Sequence, residues 1–137
     1  MPEKRTLERA RRDRREGKAP TTQAGEFVRE EMDHIREGKH GARSTRQAIA
    51  IGLSKARRAG VKLPPPSSGN ASGRTRRQAS RDLAKGSSGA AKKVSARRSR
   101  AVRAALKREG RSAASRSALS KQAKTAARAR KRRSSSR

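Results

Sequence analysis

Cysteine, tryptophan and tyrosine are absent from the 137 residues, and Phe27 is the sole aromatic side chain. Without cysteine there are no disulfides, no thiolate-held metals and no thiol chemistry. With one aromatic ring the chain cannot build the base-stacking surface of an RNA-recognition sheet or an OB-fold. Large apolar residues are scarce as well. Val, Ile, Leu, Met and Phe number sixteen, and most of the 29% hydrophobic fraction is alanine. So little apolar area excludes a large buried core over most of the chain, because burial must offset chain entropy. The longest apolar run, Ala48 to Leu53, is interrupted by Gly52 and is far shorter than the roughly 20 residues a bilayer span needs. Met1 to Glu16 is densely charged and lacks the apolar stretch of a secretory signal. These absences lead us to expect a soluble, cytoplasmic protein with no membrane span.

What is abundant is positive charge: 40 Lys and Arg face 11 Asp and Glu, for a net +29. The charge is segregated. Residues 1–37 hold ten cations and nine acids, residues 38–66 seven cations and no acid, and residues 67–137 twenty-three cations against only Asp82 and Glu109. The boundary is Pro64-Pro65-Pro66-Ser67-Ser68-Gly69, where three prolines stop a helix and the Ser and Gly beyond them are flexible. The expected fold class is all-α. A charged N-terminal helix (1–17) and a small helical hairpin (22–63) are followed by a linker (64–73) and a low-complexity basic tail (74–137), largely disordered or transiently helical.

Start and stop signals carry that reading. The first helix runs from about Glu3 to Glu16, with Pro2 before it and Gly17 after it. Leu7 is its one large apolar residue, so it is marginal alone. The second begins after Pro20-Thr21-Thr22 and ends at Glu37, with Phe27, Val28, Met32 and Ile35 on one stripe. The third opens on Ser44-Thr45-Arg46-Gln47, which fits a capping box, and ends before Gly60. Its apolar face is Ile49, Gly52, Leu53 and Ala56, and Val61 and Leu63 can fold back on it. So thin a core invites a partner or a homodimer through the hairpin. In the tail, Arg74 to Lys85, Ser95 to Glu109 and Ala113 to Arg133 have helical grammar, opposed by clustered like charge.

The tail is the strongest chemical signal. Twenty-eight of the forty cations are arginine, which grips phosphate with two parallel hydrogen bonds. An acid-poor run of this kind attracts polyanions. The candidate nucleic-acid contacts are Arg74, Arg76, Arg77, Arg81, Lys92, Lys93, Arg97, Arg98, Arg100, Arg103, Lys107, Arg108, Lys121, Lys124, Arg128, Arg130, Lys131, Arg132 and Arg133. The turn Gly38 to Ser44 leads into a helix start, where free N–H groups favour anions. Lys39, Arg43, Ser44 and Arg46, with Lys55, Arg57 and Arg58 on the following helix, are candidate phosphate contacts from the hairpin. The turn is not a P-loop, because Asp33 stands at the first glycine position and His40 at that of Ser or Thr. Its length of about seven residues also differs from the three or four of a helix-turn-helix.

Glu30, Asp33, His34 and Glu37 read as a solvated acidic face; Glu31-x-x-His34 is half of a di-iron helix motif whose other parts are missing. No catalytic arrangement, cofactor or metal site is expected.

The stretch Gly38 to Gly60, with its Gln47-Ala48-Ile49-Ala50-Ile51-Gly52-Leu53-Ser54 and Ala56-Arg57-Arg58-Ala59-Gly60 runs, resembles a family of small basic bacterial proteins of uncharacterised function. Arg46 stands where that family has Lys. Leu106 to Gly110 and Ser115 to Lys121 are similar to the same group. The resemblance implies a bacterial origin and carries no functional residues with it. In composition the tail is similar to histone-H1-like bacterial tails. The expectation is therefore a non-enzymatic, nucleoid-associated protein that binds DNA non-specifically and condenses it. RNA or the ribosome is the nearest alternative target, and an acidic protein partner for the hairpin is another.

Overall fold

Three serine caps and three glycine stops define half of the α-helix ends. In the computed structural model, which describes residues 2–88 and 95–135, the elements are α1 (Lys4–Arg15), α2 (Pro20–Arg36), α3 (Thr45–Arg58), α4 (Gly73–Ser88), α5 (Ala96–Arg108), a 3-10 turn (Ser112–Ala114) and α6 (Arg116–Ser135). Among the described residues there is no strand. Gly17, Gly38 and Gly60 close α1, α2 and α3 with φ of 75°, 78° and 102°, left-handed values that only glycine adopts without strain. Ser44 Oγ accepts the Gln47 N–H at 3.1 Å. The Gln47 side chain reaches back one residue beyond the cap, accepting the Arg43 N–H at 2.7 Å. Ser72 caps α4 through the Thr75 N–H and Ser115 caps α6 through the Ala118 N–H, each at 3.2 Å. Pro20 opens α2 at the position where its missing N–H costs nothing, so that helix starts three residues earlier than the Thr21-Thr22 signal suggests.

The expectation of a largely disordered tail is corrected. Its described residues form α4, α5 and α6. Alanine, arginine and lysine are strong helix formers, the serine caps satisfy the first turns, and a few small residues anchor the helices. Ala79 and Asp82 of α4 are buried, as are Ala113 and Ala114 between α5 and α6. Lys92 and Lys93 lie outside the described residues.

The helices gather into two units that cut across chain order. The first contains α1, α2 as far as Glu31, α3 from Ile49, and α4. Its apolar centre is Ala10, Ala24, Phe27, Ala56, Val61 and Leu63, with Leu7 and Leu53 packed against it. Val61 and Leu63 fold back on α3, as their position after Gly60 suggests. A Cβ on Gly52 would lie 2.7 Å from the Val28 Cα, so α2 and α3 cross backbone to backbone. A Cβ on Gly86 would lie 1.9 Å from the Arg57 carbonyl oxygen, so α4 crosses the end of α3 just as closely.

The second unit contains the end of α2 from Met32, the Gly38–Ser44 turn, α3 as far as Ala48, and the α5, 3-10 turn and α6 segment. The turn is pinned by its own backbone. The Gly41 N–H donates to the Leu106 carbonyl at 2.8 Å and the Ala42 N–H to the Gly110 carbonyl at 3.0 Å. These bonds satisfy the open carbonyls where α5 ends. The Thr45 hydroxyl donates to the Ala113 carbonyl at 2.6 Å, and Arg36 Nε to the Ala114 carbonyl at 3.0 Å.

Candidate nucleic-acid interface

Where the acids go decides what the cations are left to do. In the first unit Asp13, Glu30, Glu31 and Asp82 are buried, so the solvated acidic face expected on α2 is corrected for Glu30. Glu30 Oε1 accepts the Glu3 N–H and, at 3.2 Å, the Thr6 hydroxyl. It serves as a cap for α1, whose own N-cap Glu3 makes no side-chain cap bond. A carboxylate at a helix start is also favoured by the helix dipole. Glu31 takes a hydrogen bond from Lys55 Nζ. Asp82 accepts from Ser54 Oγ at 2.6 Å and Gln78 Nε2 at 3.1 Å, and pairs with Arg58 Nε at 3.3 Å. Asp13 pairs with Lys18 at 3.2 Å. The Glu16 and Asp13 carboxylates raise the Lys18 pKa above its ordinary value. Sequence patterning does not find these roles, because an acid that caps or pairs inward has the same spacing as one in water.

The hairpin cations divide accordingly. Arg57 is buried: its Nε donates to the Leu63 carbonyl and its Nη2 to the Pro64 carbonyl, both at 3.1 Å. Burial lowers its pKa, with Asp82 acting in the opposite sense. Its fork therefore clamps the chain entering the triproline segment. Lys55 is half-buried against Glu31, and Arg58 adds a 2.7 Å bond to Ser54 Oγ. Lys39, Arg43, Ser44 and Arg46 are exposed. Lys39 pairs with Glu37 at 3.2 Å, and Ser44 is engaged as the α3 cap. The turn amides of Gly41 and Ala42 are committed to Leu106 and Gly110.

The tail cations behave differently. Arg74, Arg76, Arg77 and Arg81 are exposed on α4, and Arg76 Nε reaches the Pro66 carbonyl at 3.3 Å. On α5, Arg97, Arg98, Arg100, Arg103, Lys107 and Arg108 are all exposed, and on α6 so are Lys121, Lys124, Arg128, Arg130, Lys131, Arg132 and Arg133. Neither helix contains an acid. On α6 the half-buried positions Ala118, Leu119, Gln122, Ala126 and Ala129 follow a single face, leaving the rest of the circumference to the cations. With 20 residues, α6 is a charged rod about 30 Å long.

One group of cations escapes sequence reasoning. Arg36 at the end of α2, Arg111 before the 3-10 turn and Arg116 at the start of α6 line one shallow cleft of about 420 Å³, together with Ala114 and Ser115. Their spacing along the chain has no motif. Only the docking of the Gly38–Ser44 turn on the end of α5 gathers them.

Residues 3–67 match a family of unknown function (DUF6496). That span covers α1, α2, α3 and the triproline segment and ends before α4. Neither a curated protein nor a solved structure matches the chain. Among the described residues no helix is long and apolar enough to cross a membrane.

Proposed function

We propose that the protein is a non-enzymatic, nucleoid-associated DNA-binding protein that neutralises backbone phosphates with the cations of α5 and α6 and draws duplexes together. The observation that carries this reading is the division of charge. Four acids of the first unit, Asp13, Glu30, Glu31 and Asp82, are turned inward, while two helices without any acid display thirteen exposed Lys and Arg candidates. Arginine is the right chemistry, since its planar fork binds phosphate oxygens two at a time and stays charged at any working pH. Phosphate contacts give affinity and orientation without base readout, so binding is sequence-tolerant. With six to ten phosphates contacted, affinity for duplex DNA falls about 10³–10⁵-fold between roughly 50 and 200 mM salt.

Competition between duplex DNA and structured RNA at fixed salt tests the choice of polymer. Preferential retention of DNA supports the reading, and displacement by structured RNA at equal phosphate concentration overturns it. Sequence tolerance is checked with unrelated duplexes of equal length, which are expected to bind within a few-fold of one another.

A further inference from the structure

Arg36, Arg111 and Arg116 share a cleft that no carboxylate lines, and none of the three forms a salt bridge among the described residues. Their placement is built. The Nε of Arg36 is tied to the Ala114 carbonyl at 3.0 Å, which holds that guanidinium at the cleft wall with its two Nη groups still to be used. The Arg111 guanidinium lies against the backbone of Gly38, where even a Cβ would come within 3.3 Å of Nη1. Ala113 and Ala114 behind them are buried, so the wall is fixed. Three like charges lining one opening repel each other, and an oxyanion between them would relieve that repulsion while accepting their N–H donors.

We propose that this cleft is a phosphate site that seats a single phosphate group. The chemistry recognised is a tetrahedral oxyanion held by guanidinium forks, with the start of α6 adding a favourable dipole. Two sources present that group: free inorganic phosphate and the phosphodiester of a bound duplex. The second rests on the DNA-binding reading above, and makes the cleft the fixed point that registers one backbone phosphate while the helices act as a diffuse field.

The test uses the full chain and three variants: the triple Arg36→Gln, Arg111→Gln and Arg116→Gln; Arg116→Gln alone, which leaves the Arg36–Ala114 bond in place; and the tail control Arg128→Gln, Arg130→Gln and Arg132→Gln. Inorganic phosphate is titrated at constant ionic strength against chloride, followed by amide and guanidinium resonances. We expect saturable shifts at the cleft residues in the wild type and the tail control, a loss of about tenfold or more in phosphate affinity for Arg116→Gln, and no saturation for the cleft triple. Equal, non-saturable shifts in all four proteins, or shifts that chloride reproduces, overturn the site.

For duplex DNA, losing three arginines that share one phosphate lowers the slope of log K against log salt by about 0.9, the value for a single phosphate. A slope change near three times that figure means separate phosphates and contradicts a shared site. The two readings fail separately. Saturable phosphate binding without duplex binding sinks the DNA proposal and leaves the cleft; duplex binding without saturable phosphate binding at the cleft sinks the site and leaves the DNA proposal.

Discussion

Asp82 is the buried polar anchor of α4 in the first unit. It is 1% exposed and receives Ser54, Gln78 and Arg58. In the Asp82→Ala variant those donors lose their acceptor and α4 loses its polar anchor, so we expect a loss of about 1–3 kcal/mol in urea unfolding. Asp82→Asn keeps the shape and one acceptor and is expected to lose less. Lys18 supplies a pH-dependent case. Its pKa is raised by Glu16 and Asp13, so its folded form favours the charged state. That contribution is complete below the ordinary value of 10.5 and fades as pH rises through the raised value. The unfolding midpoint of the wild type should therefore approach that of Lys18→Met above that pH, and the shift is small because the group is exposed. None of these inward roles is legible in the sequence. Asp82 is the lone acid between Glu37 and Glu109, which marks it as unusual, but its partners Ser54 and Arg58 are brought to it only by folding.

At the scale of the element, glycine reports how closely the helices approach. Glycine inside a helix normally costs about 1 kcal/mol relative to alanine. Gly25 in α2 has open space where a Cβ would stand, so Gly25→Ala should stabilise by about 0.5–1 kcal/mol. Gly52 faces the Val28 backbone at 2.7 Å, and there the overlap outweighs the propensity gain. Gly52→Ala should destabilise by about 1–3 kcal/mol. Opposite signs for the same substitution, read from two thermal unfolding curves, check the α2–α3 crossing directly. The helices themselves were legible. The Gly17, Gly38 and Gly60 stops and the Ser44 box marked their ends, and the helical grammar of Ser95 to Glu109 and Ala113 to Arg133 is realised in α5 and α6. Their persistence as ordered helices was not legible. Like-charge repulsion is visible in a run of arginines, whereas the backbone bonds from Gly41 and Ala42 to Leu106 and Gly110 involve no side chain.

The arrangement of the whole chain changes how its function must be probed. Removing residues 67–137 does not separate hairpin from tail, because α4 supplies Asp82 to α3 and the Leu106 and Gly110 carbonyls receive the turn amides. Truncation would therefore expose buried donors in both units, and loss of binding would report loss of structure. Charge-neutralising substitutions on α6 avoid this. Arg128, Arg130, Lys131 and Arg132 are exposed and glutamine is nearly as good a helix former. The quadruple glutamine variant should keep its far-ultraviolet circular dichroism while its charge falls by four. The central claim is that α5 and α6 bind DNA by neutralising phosphates, and the slope of log K against log salt for the full chain and this variant tests it most directly. We predict a wild-type slope of about −5 to −9, corresponding to six to ten phosphates, and a shallower slope in the variant by about 0.9 for each phosphate no longer neutralised. A flat wild-type response, or a variant slope equal to the wild type, would contradict the account.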